Sequence, residues 1–482
     1  MNCRRQSPAW KPLALVLLAL LSWVAAAASP AELAAQIEHL RQQHGVAATA
    51  LVLVNREQLL LNQAFGVSDW QSGKPVNSET RFRVGSVTKA FTGLALLRAQ
   101  RAGLLRLDAP LATLVGQRSY HNPWEATRPL TLAMLMEHTA GWPDMGKAEF
   151  DSADPKPLTL PEALAIAPAS RTSLWPPGMY SEYSNSGPGL AAYVLQQRAK
   201  LPFEDTMARE VFAPLGMASA SLLADPETLA HLAQGYDADG RTPIPYWHVL
   251  YRAAAGLNVN PRDMAPFLRM LLNKGAVDGG KAFLHPEDIA RAEHPATTLA
   301  ARHGMDFGYG LGIRAAQNKG HTIYGHGGDA DGYLAQFRYS RESGRGYFVV
   351  ITAFNNEAIE AMQEPLDDWL VEGLPQDEAP PAVTLSAAKL RALAGDYQPA
   401  TSRFGGDRSE RLRVRVKDGQ LSTAEPGEAP TALFVVDTKS EKFRRPWETV
   451  ATTIFVHETD GSVILQGALG NWRKPASSAS DP

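Results

Sequence analysis

The strand-forming runs of this 482-residue chain stand far apart, and that separation constrains its fold more than any other feature. Apolar and β-branched runs over 46–54 and 58–65 flank Asn55, Arg56 and Glu57, which predicts a hairpin. The next pair, over 333–339 and 347–354, comes only late in the chain. Between them the apolar period is helical: Phe91, Leu94, Ala95 and Leu97 share a face, and 262–273 follows Pro261 as a second helix. A helix over 31–43 precedes the first hairpin and ends at Gly45; another over 358–370 follows the last strands. A short edge segment is expected over 81–84. Strand pairs therefore lie at both ends, with helices filling the middle. Pro375, Pro380 and Pro381 mixed with Asp377 and Glu378 mark a linker over 374–384. Beyond it, short runs at 412–416, 432–436, 452–456 and 462–465 are separated by turn residues. They predict a small β-barrel or sandwich over 385–482, with a frayed tail from Pro475. The length suits two domains.

The first residues bear on the compartment. Arg4, Arg5 and Lys11 precede an apolar stretch over 13–21, and Ala25 to Ala28 are small, so residues 1–28 read as a cleaved signal for a periplasmic or secreted protein. An uncleaved anchor is the competing reading, but the run is short for a spanning helix. Cys3, the only cysteine, lies in this leader, so the mature chain has neither disulfides nor thiolate metal sites and is held by its core. A net charge of −3 without basic runs gives no footprint of a nucleic-acid binder. A small molecule or peptide is the expected substrate, and the oligomeric state stays open. His321 and His326 are five apart with no His-Glu-x-x-His pattern, and glycine-rich phosphate loops are absent, so neither metal nor cofactor is expected.

Three stretches carry chemistry. In Arg83-Val84-Gly85-Ser86-Val87-Thr88-Lys89, a serine three residues before a lysine puts both side chains on one helix face, a turn apart. A lysine stripped of solvent can take the serine proton, and the helix N-terminus adds amide donors beside developing negative charge. Ser386-Ala387-Ala388-Lys389 has the same spacing but reads as a helix start. In Tyr183-Ser184-Asn185, the tyrosine can exchange protons with Ser86 and a leaving group if a neighbouring ammonium favours its phenolate. Asn185 can bond both a substrate amide and the lysine. Tyr120-His121-Asn122 shares that spacing but suggests a surface loop. In Tyr324-Gly325-His326-Gly327-Gly328-Asp329, glycines let a strand approach the acyl group, and an amide near Asp329 can complete an oxyanion hole with that of Ser86. The alternative for His326 is a structural hydrogen bond beside a glycine-rich turn. Tyr236, Tyr246 and Trp247 can line a cleft or pack in the core.

These motifs, in this order, resemble the class C β-lactamase-like serine hydrolases, a group that includes β-lactamases, penicillin-binding proteins, D-aminopeptidases and esterases. Leu135 through Trp142 with His138-Thr139-Ala140-Gly141, the stretch Ala254 to Asp263, and Gly308-Tyr309-Gly310-Leu311-Gly312 resemble the same family, over roughly 31–373. The resemblance implies an α+β fold of the β-lactamase/DD-peptidase type, an antiparallel sheet flanked by helices plus a helical lobe, in a hydrolase domain spanning 29–373. It implies Ser86 as nucleophile, Lys89 and Tyr183 sharing the base and acid roles, and a substrate site formed by Asn185, His326, Gly327, Gly328 and Asp329. The segment Leu393-Ala394-Gly395-Asp396-Tyr397 resembles the small β-domain that follows many such hydrolases. His326 stands where β-lactamases of this type usually carry lysine, and a mostly neutral imidazole holds a carboxylate less well. Asp329 and Asp331 are also unusual there and would repel anions if they faced the site. The expected function is thus an exported acyl-serine hydrolase acting on a D-amino-acid peptide, amide or ester. The alternatives are a true β-lactamase and a penicillin-binding sensor that acylates without turnover.

Overall fold

The early hairpin and the late strands close into one sheet. The computed structural model describes residues 28–476 apart from 117–118, 155, 376–377, 404–408 and 426. Residues 1–27 of the signal, with Cys3, and the tail from 477 therefore lie outside the described residues. Helix α1 (Pro30–Gln43) begins in a capping box, in which Ser29 Oγ accepts from the Glu32 amide and the Glu32 carboxylate accepts from that of Ser29. β1 (Ala48–Asn55) and β2 (Leu59–Gly66) form the hairpin, and Asn55 Oδ1 accepts from the Glu57 and Gln58 amides at 2.9 and 2.7 Å to turn the chain.

The chain then leaves for a helical lobe. α2 (Thr88–Arg101), α3 (Ser186–Ala199) and α4 (Met264–Leu272) are its main helices, with shorter pieces between them. It returns as β3 (Arg314–Asn318), β4 (His321–Ala330), β5 (Tyr333–Ser340) and β6 (Arg345–Ile351). The six strands run antiparallel in the order β2-β1-β6-β5-β4-β3, with Leu51 opposite Val349. Helix α5 (Asn356–Val371) completes this part.

Both sheet faces are covered. Ala50, Val52, Phe337 and Phe348 pack with Phe91 and Phe267 of α2 and α4. Leu51, Leu53, Val349 and Ile351 pack with Leu33 and Ile37 of α1 and with Met362 and Trp369 of α5. For that reason β1 reads as a continuous apolar run and not an alternating one.

After α6 (Ala387–Leu393), eight strands form a closed barrel: β7 (Gly395–Pro399), β8 (Leu412–Lys417), β9 (Gln420–Ala424), β10 (Thr431–Asp437), β11 (Lys442–Arg444), β12 (Thr453–His457), β13 (Val463–Gly467) and β14 (Gly470–Lys474). Leu412, Leu421, Leu433, Phe443 and Leu465 fill it together with Leu385 and Leu393. Its outer face docks on the first domain, where Ile454, Val456 and Ile464 pack against Trp175, Met179, Tyr180 and Leu299. Gln466 and Asn471 donate to the Met179 and Ser181 carbonyls at 3.0 and 2.7 Å. The loop leading to Tyr183 is thus held from the barrel side. Among the described residues, no helix is long and apolar enough to cross a membrane.

Candidate active site

Ser86 lies in a 3-10 turn, Gly85–Val87, that feeds α2, and Lys89 lies in the first turn of that helix. Tyr183 and Asn185 sit in the loop that enters α3. Packing of α2 against α3 brings the two motifs together. Lys89 Nζ is 2.9 Å from Ser86 Oγ, and the Tyr183 hydroxyl donates to the same oxygen at 2.9 Å.

Lys89 has no exposed surface. Its other acceptors are Asn185 Oδ1 at 2.7 Å and the Ala254 carbonyl at 2.9 Å. Burial lowers its pKa from 10.5 to about 7; Asp144 opposes the shift. In the neutral amine, two N–H bonds go to Asn185 and Ala254 and the lone pair is left for the Ser86 proton. Tyr183 differs. Burial pushes its phenol well above the usual tyrosine range, against the Ser86 hydrogen bond and the nearby Arg403 charge. The resting tyrosine is therefore a proton donor and not the phenolate that the sequence left open.

The model of the family described as beta-lactamase matches residues 33–368. The chain belongs to the beta-lactamase family. It is 28% identical over 237 residues to a beta-lactamase of Yersinia enterocolitica, a match covering 47% of this chain and 55% of that relative. The octameric penicillin-binding protein homologue from Pyrococcus abyssi shares the fold over 92% of this chain and 99% of its own, at a TM-score of 0.61 and 21% identity. The D-amino acid amidase from Ochrobactrum anthropi covers 70% of this chain and 99% of its own, with a TM-score of 0.56 and 20% identity. The fold is thus of the β-lactamase/DD-peptidase type, with a separate all-β barrel, and the relatives are serine hydrolases of the beta-lactamase family.

In this beta-lactamase-family protein the third motif forms the edge of the sheet nearest Ser86. β3 pairs with β4 only as far as Gly325, which leaves the outer edge of β4 beyond it facing the Ser86 turn. Close approach there requires glycine on both sides. Gly85 has a φ of +51° and a Cβ on it would fall 2.3 Å from the Asp329 carbonyl oxygen, while one on Gly328 would fall 2.0 Å from that of Val84. Gly327 instead lies beside Gln336.

His326 is buried, and burial lowers its pKa to about 3, helped by the Lys89 charge. Its Nδ1 faces the Gly327 carbonyl, which only accepts, so Nε2 must accept from Tyr309 Oη at 2.6 Å. The imidazole is neutral and both nitrogens are engaged, so this position offers a substrate no cation. The two acids flagged in the sequence part company. Asp331 pairs with Arg83 at 3.0 Å, and Asp329 remains exposed. Asn185 is more committed than its spacing implied, because its Nδ2 contacts both Asp144 oxygens at 3.2 Å while Oδ1 serves Lys89.

Several contributors escaped sequence reasoning. Asp144 carries no local pattern, Ala254 opened a family-like stretch without a role for its carbonyl, and Arg403 comes from another domain. His138, part of a family-like stretch but given no role there, has a φ of +59° and its ring centre lies 4.2 Å from that of Tyr183, tilted by 36°. Tyr309 lies in the glycine-rich stretch over 308–312, where spacing alone gave it no role. Other expectations fell differently. Tyr120 and Asn122 are buried, with Asn122 bonded to Glu125 and to the Arg128 carbonyl, so that loop is packed and not superficial. Ser386 caps α6 through the Lys389 amide at 3.3 Å. Tyr236 is buried and donates to Asp69 at 3.0 Å, so it serves packing, whereas Tyr246 is half-buried under the Arg83 guanidinium and lines a separate cavity of about 310 Å³ with Asp331 and Tyr333. His321 pairs with Glu342 at 2.9 Å. Among the described residues, no cluster of three potential ligands is placed to hold a metal ion.

A cleft of about 450 Å³ opens over Tyr183, walled by His138, Glu182 and Tyr309 on one side and by Thr401, Glu410 and Trp472 of the barrel on the other.

Proposed function

We propose that this protein is an exported serine hydrolase that forms an acyl-Ser86 intermediate on a D-amino-acid peptide, amide or ester. The observation that carries the reading is the convergence of Lys89 and Tyr183 on Ser86 Oγ, each at 2.9 Å, with the lysine pKa near 7. Ser86 Oγ attacks the carbonyl carbon while its proton passes to neutral Lys89. Negative charge on the former carbonyl oxygen is met by the Ser86 amide and by the bare edge of β4 near Asp329. As the bond to the leaving amine or alkoxide breaks, Tyr183 donates its proton and recovers one from the Lys89 ammonium. Water, activated the same way, releases the acyl group and restores Ser86.

The substrate class rests on His326. A neutral, fully engaged imidazole lacks the fixed charge that would hold a β-lactam carboxylate, which favours esters and peptides. The likeness in fold to a D-amino acid amidase agrees with that preference. The basic and apolar leader over 1–28 supports export. The test is intact-protein mass after exposure of the mature chain to a fluorophosphonate. One adduct on wild type and none on Ser86→Ala is expected; equal labelling of both, or of neither, overturns the assignment. Turnover of D-aminoacyl amides and esters above that of nitrocefin is expected next, and the reverse order makes it a β-lactamase.

A further inference from the structure

Besides Gln466 and Asn471, which hold the loop before Tyr183, a third side chain of the barrel domain reaches toward the reacting serine. Arg403 follows β7, and its Nε and Nη2 contact Asp144 Oδ2 at 2.9 and 2.6 Å. Its carbonyl accepts from the Asp144 amide at 3.1 Å. The Asp144 side chain has 0% exposure, and its Oδ1 accepts from the Asn185 amide at 2.8 Å as well as from Nδ2. Asn185 in turn holds Lys89, so an unbroken line of polar contacts runs from the barrel to Ser86. The guanidinium also lies 4.6 Å from the centre of the Tyr183 ring. A buried carboxylate deprived of its partner is costly, and its charge then acts on whatever cation lies nearest. Here that cation is the Lys89 ammonium.

We propose that Arg403 is a positioning residue of the hydrolytic reaction: from the barrel it fixes Asp144, Asn185 and hence Lys89, and it offsets the Asp144 charge. The barrel is then part of the catalytic unit and not an appendage. This rests on Ser86 being the nucleophile. The groups facing Lys89 are Ser86, Tyr183, Asn185, Asp144, Asp329, His138 and His326, with Arg403 behind Asp144. Burial keeps both histidines neutral. Burial is also the main cause of the low Lys89 value; Asp144 and Asp329 oppose it and Arg403 reinforces it.

The full chain is labelled with a fluorophosphonate across pH roughly 5 to 9, in wild type, Arg403→Gln and Arg403→Lys, with melting temperature as the folding control. Arg403→Gln should label more slowly, with its acid limb moved upward by roughly 1 pH unit, while Arg403→Lys keeps the limb near wild type. Asp144→Asn, which removes the charge that Arg403 offsets, should move the limb downward and decides the matter should the glutamine variant not fold. A folded Arg403→Gln with the wild-type rate and limb overturns the inference alone. So does an equal loss of rate in the Gln and Lys variants with the limb in place, since packing would explain that. Failure of wild type to label at Ser86 overturns the functional reading and this inference with it.

Discussion

Replacing Lys89 with methionine should abolish acylation and, at neutral pH, remove a large electrostatic burden from the fold. The lysine pKa falls from 10.5 to about 7 on folding, chiefly through burial. That difference corresponds to ~5 kcal/mol of destabilisation relative to a permanently neutral side chain of the same shape. The sign follows from proton counts. Between the two values the unfolded chain holds a proton that the folded chain lacks, so stability rises with pH; the burden is fully present below about 7 and gone above 10.5. Methionine has no such dependence. It also leaves the Asn185 and Ala254 oxygens without a donor, at ~1–3 kcal/mol each, so the absolute gain is smaller than the electrostatic figure. The informative quantity is therefore the difference between variant and wild type as pH changes. Urea unfolding of both proteins from neutral pH upward should show that the difference in favour of methionine shrinks by up to about 1.4 kcal/mol per pH unit. A difference that stays flat as pH rises from about 7 toward 10 would mean that Lys89 folds as an ammonium, and the base assigned to this site would be wrong.

Tyr183→Phe removes the proton donor but neither the serine nor the lysine, so single-turnover acylation of an ester should slow by roughly 10²–10⁴-fold while a fluorophosphonate adduct still forms; an unchanged rate would remove Tyr183 from the mechanism. Gly85→Ala places a side chain at positive φ against the Asp329 carbonyl, and it should lower stability by more than about 1 kcal/mol and impair labelling together. A fully stable and active alanine variant would contradict the close approach of the two backbones. Because His326 is neutral down to about pH 3, the rate profile of wild type should rise once, through about 7, with no earlier step. His326→Gln should keep that single limb, and a second inflection near pH 5 or 6, lost in the variant, would show a titrating imidazole.

The parts of this protein written in its sequence are those set by short-range geometry. Ser86 and Lys89 meet because a spacing of three spans one helical turn, and Asn55 turns the first hairpin with its own side chain. Ser386, with the same spacing to Lys389, caps a helix because nothing folds over it to take the lysine out of water; that amine reaches the Thr438 carbonyl instead. In the barrel, apolar runs announced the strands with buried inner residues, whereas β9, β11 and the paired ends β7 and β14 are short and partly polar, and their pairing comes from closure.

What no local pattern contained was decided by the tertiary structure. The depressed pKa of Lys89 depends on complete burial beneath α3 and the Ala254 backbone, and the neutrality of His326 on burial beside Lys89, with Tyr309 engaging its Nε2. Asp144 became an organising group only when Arg403 arrived from the barrel to pair with it. Periodicity and spacing fix which side chains share one face of one element. Solvent exclusion and charge pairing depend on which elements pack together, and here Asp144 and Arg403 lie 259 residues apart, in two domains.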